Sequence, residues 1–198
     1  MSERLFKVLN VDGTCYHGGT GQWSLPHDGQ PGDWMPVIEG DLEACANGYH
    51  LCRESDLIFW LGPAIYEAEY RGDRIDSDNK VVVRQARLLR RLDAWTEQTA
   101  RLFACDCAES VLKLYERQHP QDNSPRYAIE IARRYARGNA SAEELSASCA
   151  AAWDAWDAAW DANAAAWDAS AAAYTAANAA ASDKLTIYLM RYLYPEEC

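Results

Sequence analysis

No run of 18 uncharged apolar residues occurs in the chain, and its opening "MSERLFKVLNVDG" has no apolar h-region of a secretory leader. The first absence excludes a membrane-spanning helix, and the second points to a soluble cytoplasmic protein. The 7 cysteines, Cys15, Cys45, Cys52, Cys105, Cys107, Cys149 and Cys198, are odd in number and irregularly spaced. A disulfide framework is therefore not expected, and reduced thiols are. Basic residues are scarce: 19 Lys and Arg face 30 Asp and Glu, a net charge of -11. The deficit is spread evenly, with 10 basic against 15 acidic residues through Asp93 and 9 against 15 beyond it. A phosphate backbone would be repelled by both parts, which excludes direct nucleic-acid binding and favours a basic protein partner.

With 198 residues the chain can bury a real core without covalent staples. Its composition changes near residue 93, which divides it into an α+β unit over 1–92 and a helical unit over 93–198. In the first, "RLFKVLN" before the Asp12-Gly13 turn, "IYEAEYRG" and "KVVVRQARLL" read as strands, the last two in one sheet. The Gly- and Pro-rich "GTCYHGGTGQWSLPHDGQPGDWMP" reads as loop, and "RESDLIFWLG" as a short helix from an N-cap at Ser55 to a stop at Gly62. The basic run Arg84 to Arg91 also reads as a solvated connector.

The second unit is expected to be an antiparallel bundle of four helices with short connections. One covers "AWTEQTARLFACDCAESVLKLYERQ", with Trp95, Leu102, Phe103, Val111 and Leu114 among its apolar positions. Another starts with Ser124 as N-cap and Pro125 at the first helical position and ends at Gly138. A third opens with a capping box from Ser141 to Glu144 and extends to about Ala181; "DKLTIYLMRYLY" makes a fourth, stopped by Pro195.

The long third helix contains "AAWDAWDAAWDANAAAWDASAAAYTAANAAASD", alanine being the best helix former. Trp153, Trp156, Trp160, Trp167 and Tyr174 fall in a stripe about 60° wide, with the spacing of a bundle seam. Asp154, Asp157, Asp161 and Asp168 form a second stripe roughly 110° away. The aromatic stripe suits a core, or a homodimer contact if it is left uncovered. Its acidic flank suits the solvent or a basic partner.

Three motifs carry a resemblance. Asp106-Cys107-Ala108-Glu109, the turn Leu112-Lys113-Leu114-Tyr115-Glu116, and Asp122-x-x-Pro125-Arg126 followed by Ala132-Arg-Arg-Tyr-Ala-Arg-Gly138 resemble the helical immunity proteins encoded near bacterial polymorphic toxins. The resemblance spans about Trp95 to Tyr194. It implies a non-enzymatic binding protein that occludes a toxin or effector and needs no cofactor. In the N-terminal part, "CYHGGTGQWSLP", "NGYHLCRESDLIFWLG" and "KVVVRQARLLR" resemble an uncharacterised module of bacteria and phages, which implies no activity.

Two further readings attach to the same N-terminal motifs. His17-Gly18, Tyr49 and Glu69 are similar in order to ADP-ribosyltransferase-like folds, which implies that His17 binds a ribose hydroxyl of NAD, Tyr49 stacks on nicotinamide and Glu69 stabilises an oxocarbenium-like transition state. Cys15, His17, Cys45, His50 and Cys52 offer five ligands to a zinc ion that takes four, though without a C-x2-C knuckle. Cys105 and Cys107, about 200° apart on a helix, cannot chelate together. Regularly spaced carboxylates can also imitate phosphates, which leaves a phage anti-defence or nucleic-acid mimic as a third alternative.

Overall fold

The computed structural model describes residues 3–150 and 186–197 and combines an antiparallel four-stranded sheet with helices. By contacts the chain divides into two compact units, Met1–Thr96 with Leu189–Cys198, and Glu97–Tyr188. From sequence the second domain runs on to residue 198; in the structure, Leu189–Cys198 group with the first unit.

The first unit is built on strands β1 (Leu5–Leu9), β2 (Tyr49–Arg53), β3 (Ala64–Ser77) and β4 (Lys80–Arg91). They close into a barrel in the order β1-β2-β4-β3, every pairing antiparallel. Alternation places Leu5 and Leu9 of β1, Leu51 of β2, Tyr66 and Ala68 of β3, and Val81, Val83, Ala86 and Leu88 of β4 in one buried core. Trp23 and Met35, from the long loop after β1, complete that core. The expected pairing of the two valine- and tyrosine-rich runs is present as the β3–β4 hairpin, in register from Tyr66↔Arg91 to Ser77↔Lys80. Its ladder shifts twice, and the second shift holds Gly72 at φ 76°, a bulge conformation that other residues resist.

Two sequence expectations are corrected. Arg84 to Arg91 is not a connector but most of β4, whose alternate residues enter the core. Its arginines face carboxylates instead: Arg84 pairs with Asp73, Arg87 with Glu69 and Arg90 with Glu67. The Ser55 to Gly62 helix shrinks to one 3-10 turn, Leu57–Phe59. Asp56, not Ser55, organises it, because its buried carboxylate accepts hydrogen bonds from the Arg53 backbone and guanidinium at 3.1 and 2.8 Å. The Gly-rich loop remains irregular, but it runs back along β4. Where the β2 ladder ends at Val83, Met35 and Ile38 donate backbone hydrogen bonds to Ala86 and Arg84 at 2.9 and 3.0 Å.

In the second unit, α1 (Glu97–Gln118) and α2 (Ser124–Ala136) pack as an antiparallel hairpin around buried Phe103, Leu112 and Ile131. The N-cap of α2 is Asn123, one residue before the expected Ser124, so Pro125 stands one place further into the first turn than expected. The next helix, α3, opens at residue 142 and is described to 150. Its capping box is formed: Glu144 N–H donates to Ser141 Oγ at 3.1 Å, and Ser141 N–H to Glu144 Oε2 at 2.7 Å. Helix α4 covers 186–193. The Trp stripe and its acidic flank, including Asp154, Asp157, Asp161 and Asp168, lie outside the described residues. No described helix is long and apolar enough to cross a membrane.

Candidate functional site

Of the motif residues, Cys45 and His50 meet beside β2, and the others are engaged elsewhere. His50 Nε2 accepts the Cys45 N–H at 2.9 Å, which leaves that nitrogen without a proton and places the ring proton on Nδ1. Burial, assisted by the charges of Lys7 and Lys80, pulls its pKa below the usual histidine value. His17 is exposed, and its Nε2 donates to the Trp60 carbonyl at 2.7 Å while the ring meets Trp60 edge-on at 5.3 Å. The Lys80 ammonium donates to Cys45 Sγ at 3.0 Å, and the Cys15 thiol donates to Gly21 O at 3.4 Å. Cys52 is buried, and that burial pushes its thiol up to about 12, far from the thiolate a metal needs. Among the described residues, no three His, Cys, Asp or Glu side chains stand together as a metal requires, and six of the cysteines are free thiols.

The residues suggested for NAD are likewise turned to separate tasks. Tyr49 donates its hydroxyl to Pro36 O at 2.8 Å and sets its ring edge-on to Trp23 at 5.5 Å, joining the core. Glu69 pairs with Arg87. Glu67, the neighbouring acid on the same face of β3, accepts two hydrogen bonds from Arg90 at 2.7 and 2.9 Å and one from the Tyr194 hydroxyl. His17, by contrast, is held by Trp60.

Sequence inspection missed Lys7. It is the central residue of β1, on the inward face between Leu5 and Leu9 and in register with buried Tyr66. Its ammonium donates to His50 O at 3.1 Å and lies 5.1 Å from the centroid of the buried Trp23 indole. The signal was present, since period-2 alternation puts residues 5, 7 and 9 on one face, but it becomes meaningful only when that face is known to be interior.

The motifs of the helical unit interlock. Arg133 of α2 reaches both Asp106, at 2.6 Å, and Glu109 of α1. Arg126 pairs with Glu116 at 2.5 Å. Asp122, in the turn between the helices, accepts the Tyr115 hydroxyl at 2.6 Å and the Ser124 N–H at 2.8 Å, and those bonds hold its carboxyl below the usual range. Near the far end, Arg101 of α1 covers the Tyr135 ring at 5.0 Å. The residues that carry the family-like pattern thus fix the geometry of the hairpin.

Comparison with known proteins gives one match. Residues 90–186, nearly half of the chain, match the family model described as "Imm-5 like putative immunity protein". No curated protein and no solved structure gives a match.

Proposed function

We propose that this chain is a non-enzymatic binding protein of the immunity type, acting in the cytoplasm by occluding a toxin or effector. The observation that carries this reading is the family match over 90–186, which nearly coincides with the compact unit Glu97–Tyr188. Because several motif residues of α1 and α2 pair with one another across the hairpin, we assign partner recognition to the acidic residues of the alanine-rich run. There Asp154, Asp157, Asp161 and Asp168 would steer a basic partner domain and speed encounter. The net charge of -11 supports the same polarity.

The test is co-expression with toxins encoded beside the gene. Protection and a stable complex are expected, both lost when residues 97–188 are replaced by a short linker. Alanine at the four aspartates should slow association and flatten its salt dependence. Lack of protection and of any complex with every neighbouring toxin would overturn the reading.

A further inference from the structure

We propose that Lys7 is a pH-sensitive fastener of the β1–β2 seam: the barrel closes firmly there when the amine carries no proton, and loosens when it takes one up. This inference does not depend on the immunity reading.

The seam is the short side of the barrel. β1 pairs with β3 at five positions and β2 with β4 at three, but β1 meets β2 only at Leu5↔Arg53 and Phe6↔Cys52. Where that ladder stops, the side chain of the next residue, Lys7, reaches across to the carbonyl of His50 in β2. A side-chain hydrogen bond thus takes over from the backbone ladder, and an amine can supply it in either protonation state.

The surroundings favour the neutral state. No ion pair to Lys7 exists among the described residues. The titratable groups about it are Cys15 on the loop, Tyr49, His50 and Cys52 on β2, and Tyr66 on β3. Burial raises the Cys52 thiol and both phenols and lowers His50, so each of these groups is pushed toward its uncharged form and β2 and β3 offer the amine little counter-charge. From β4, Lys80 acts on His50 with the same sign as Lys7. Burial is the largest influence on the Lys7 amine and pushes it below the ordinary lysine range, with Cys15 and then Cys52 acting in the opposite direction. Opening the seam would hydrate the amine and restore its ordinary affinity for a proton. Proton uptake must then favour the open form.

Amide hydrogen exchange of the full chain between pH 6 and 10, corrected for intrinsic rates, tests this. Protection of β1 and β2 amides should rise with pH, approaching tenfold per unit where Lys7 titrates, because opening binds up to one proton. The β3–β4 amides should show a smaller slope. In Lys7→Gln, which keeps a donor for His50 O but cannot be charged, the seam's slope should vanish; Lys7→Met replaces it if that variant folds poorly. Direct NMR titration of the Lys7 side chain should place it below the ordinary lysine range. A Lys7 that titrates in the ordinary lysine range, a parent seam without slope or with the reverse slope, or a slope that survives in both variants would each overturn the proposal.

Discussion

Gly48, just before β2, sits at φ 141°, and a Cβ added there would lie 2.3 Å from Val82 Cγ1. Gly48→Ala therefore must distort the β2–β4 contact and is expected to cost roughly 1–3 kcal/mol, read as a lower denaturation midpoint. Tyr194 makes a different kind of contact. Its hydroxyl and Arg90 hold the Glu67 carboxylate, which burial alone would raise but which their hydrogen bonds bring below its ordinary value. A carboxyl lowered in the folded state contributes stability above its unfolded pKa, and that stability is lost as pH falls through the folded value. Tyr194→Phe should accordingly cost about 1–2 kcal/mol near pH 7 and less near pH 3, with a shallower acid limb in a stability-versus-pH curve. An equal loss at both pH values would show that the hydroxyl matters for packing alone. At this scale the sequence was partly informative: the Ser141–Glu144 box reads directly from spacing. Lys7 and Tyr194 do not, because their partners lie 43 and 127 residues away.

Among the elements, β3 and β4 were legible as strands of one sheet because each joins β-branched or aromatic residues to turn-rich flanks, and α1 and α2 because their stop signals are local. The closure of the sheet was not. It depends on β1 meeting β2 across the loop of residues 10–48, for which the chain offers no local pattern. The basic run ending β4 misled for a related reason: its outward arginines suggest solvent, whereas Ala86 and Leu88 between them serve the core. In the helical hairpin, the clamp of Arg133 on Asp106 and Glu109 gives a sharper test. Arg133→Met should leave the half-buried Asp106 carboxylate and the exposed Glu109 carboxylate close together without their shared cation, and should destabilise the hairpin by about 1 kcal/mol. Adding Asp106→Asn should recover part of that loss, so strictly additive effects would argue against the clamp.

For the whole molecule, the decisive feature is connectivity. The chain leaves its barrel unit after Thr96, builds Glu97–Tyr188, and returns with Leu189–Cys198, of which Leu189, Leu193 and Tyr194 are buried. A chain ending at Tyr188 should lose about 3–6 kcal/mol, a large share of a domain's ~5–15 kcal/mol, and give little soluble protein. Full solubility and an unchanged melting temperature would refute this. The same connectivity orders events on the ribosome. All four strands emerge first, yet the residues that finish their unit follow only after the stretch Glu97–Tyr188 has been made. At ~5–20 residues per second that delay is roughly 5–18 s, during which a nearly complete barrel carries an uncovered apolar patch. Synthesis rate, and the holding chaperones available in that interval, thus become determinants of yield for a protein whose finished form needs neither.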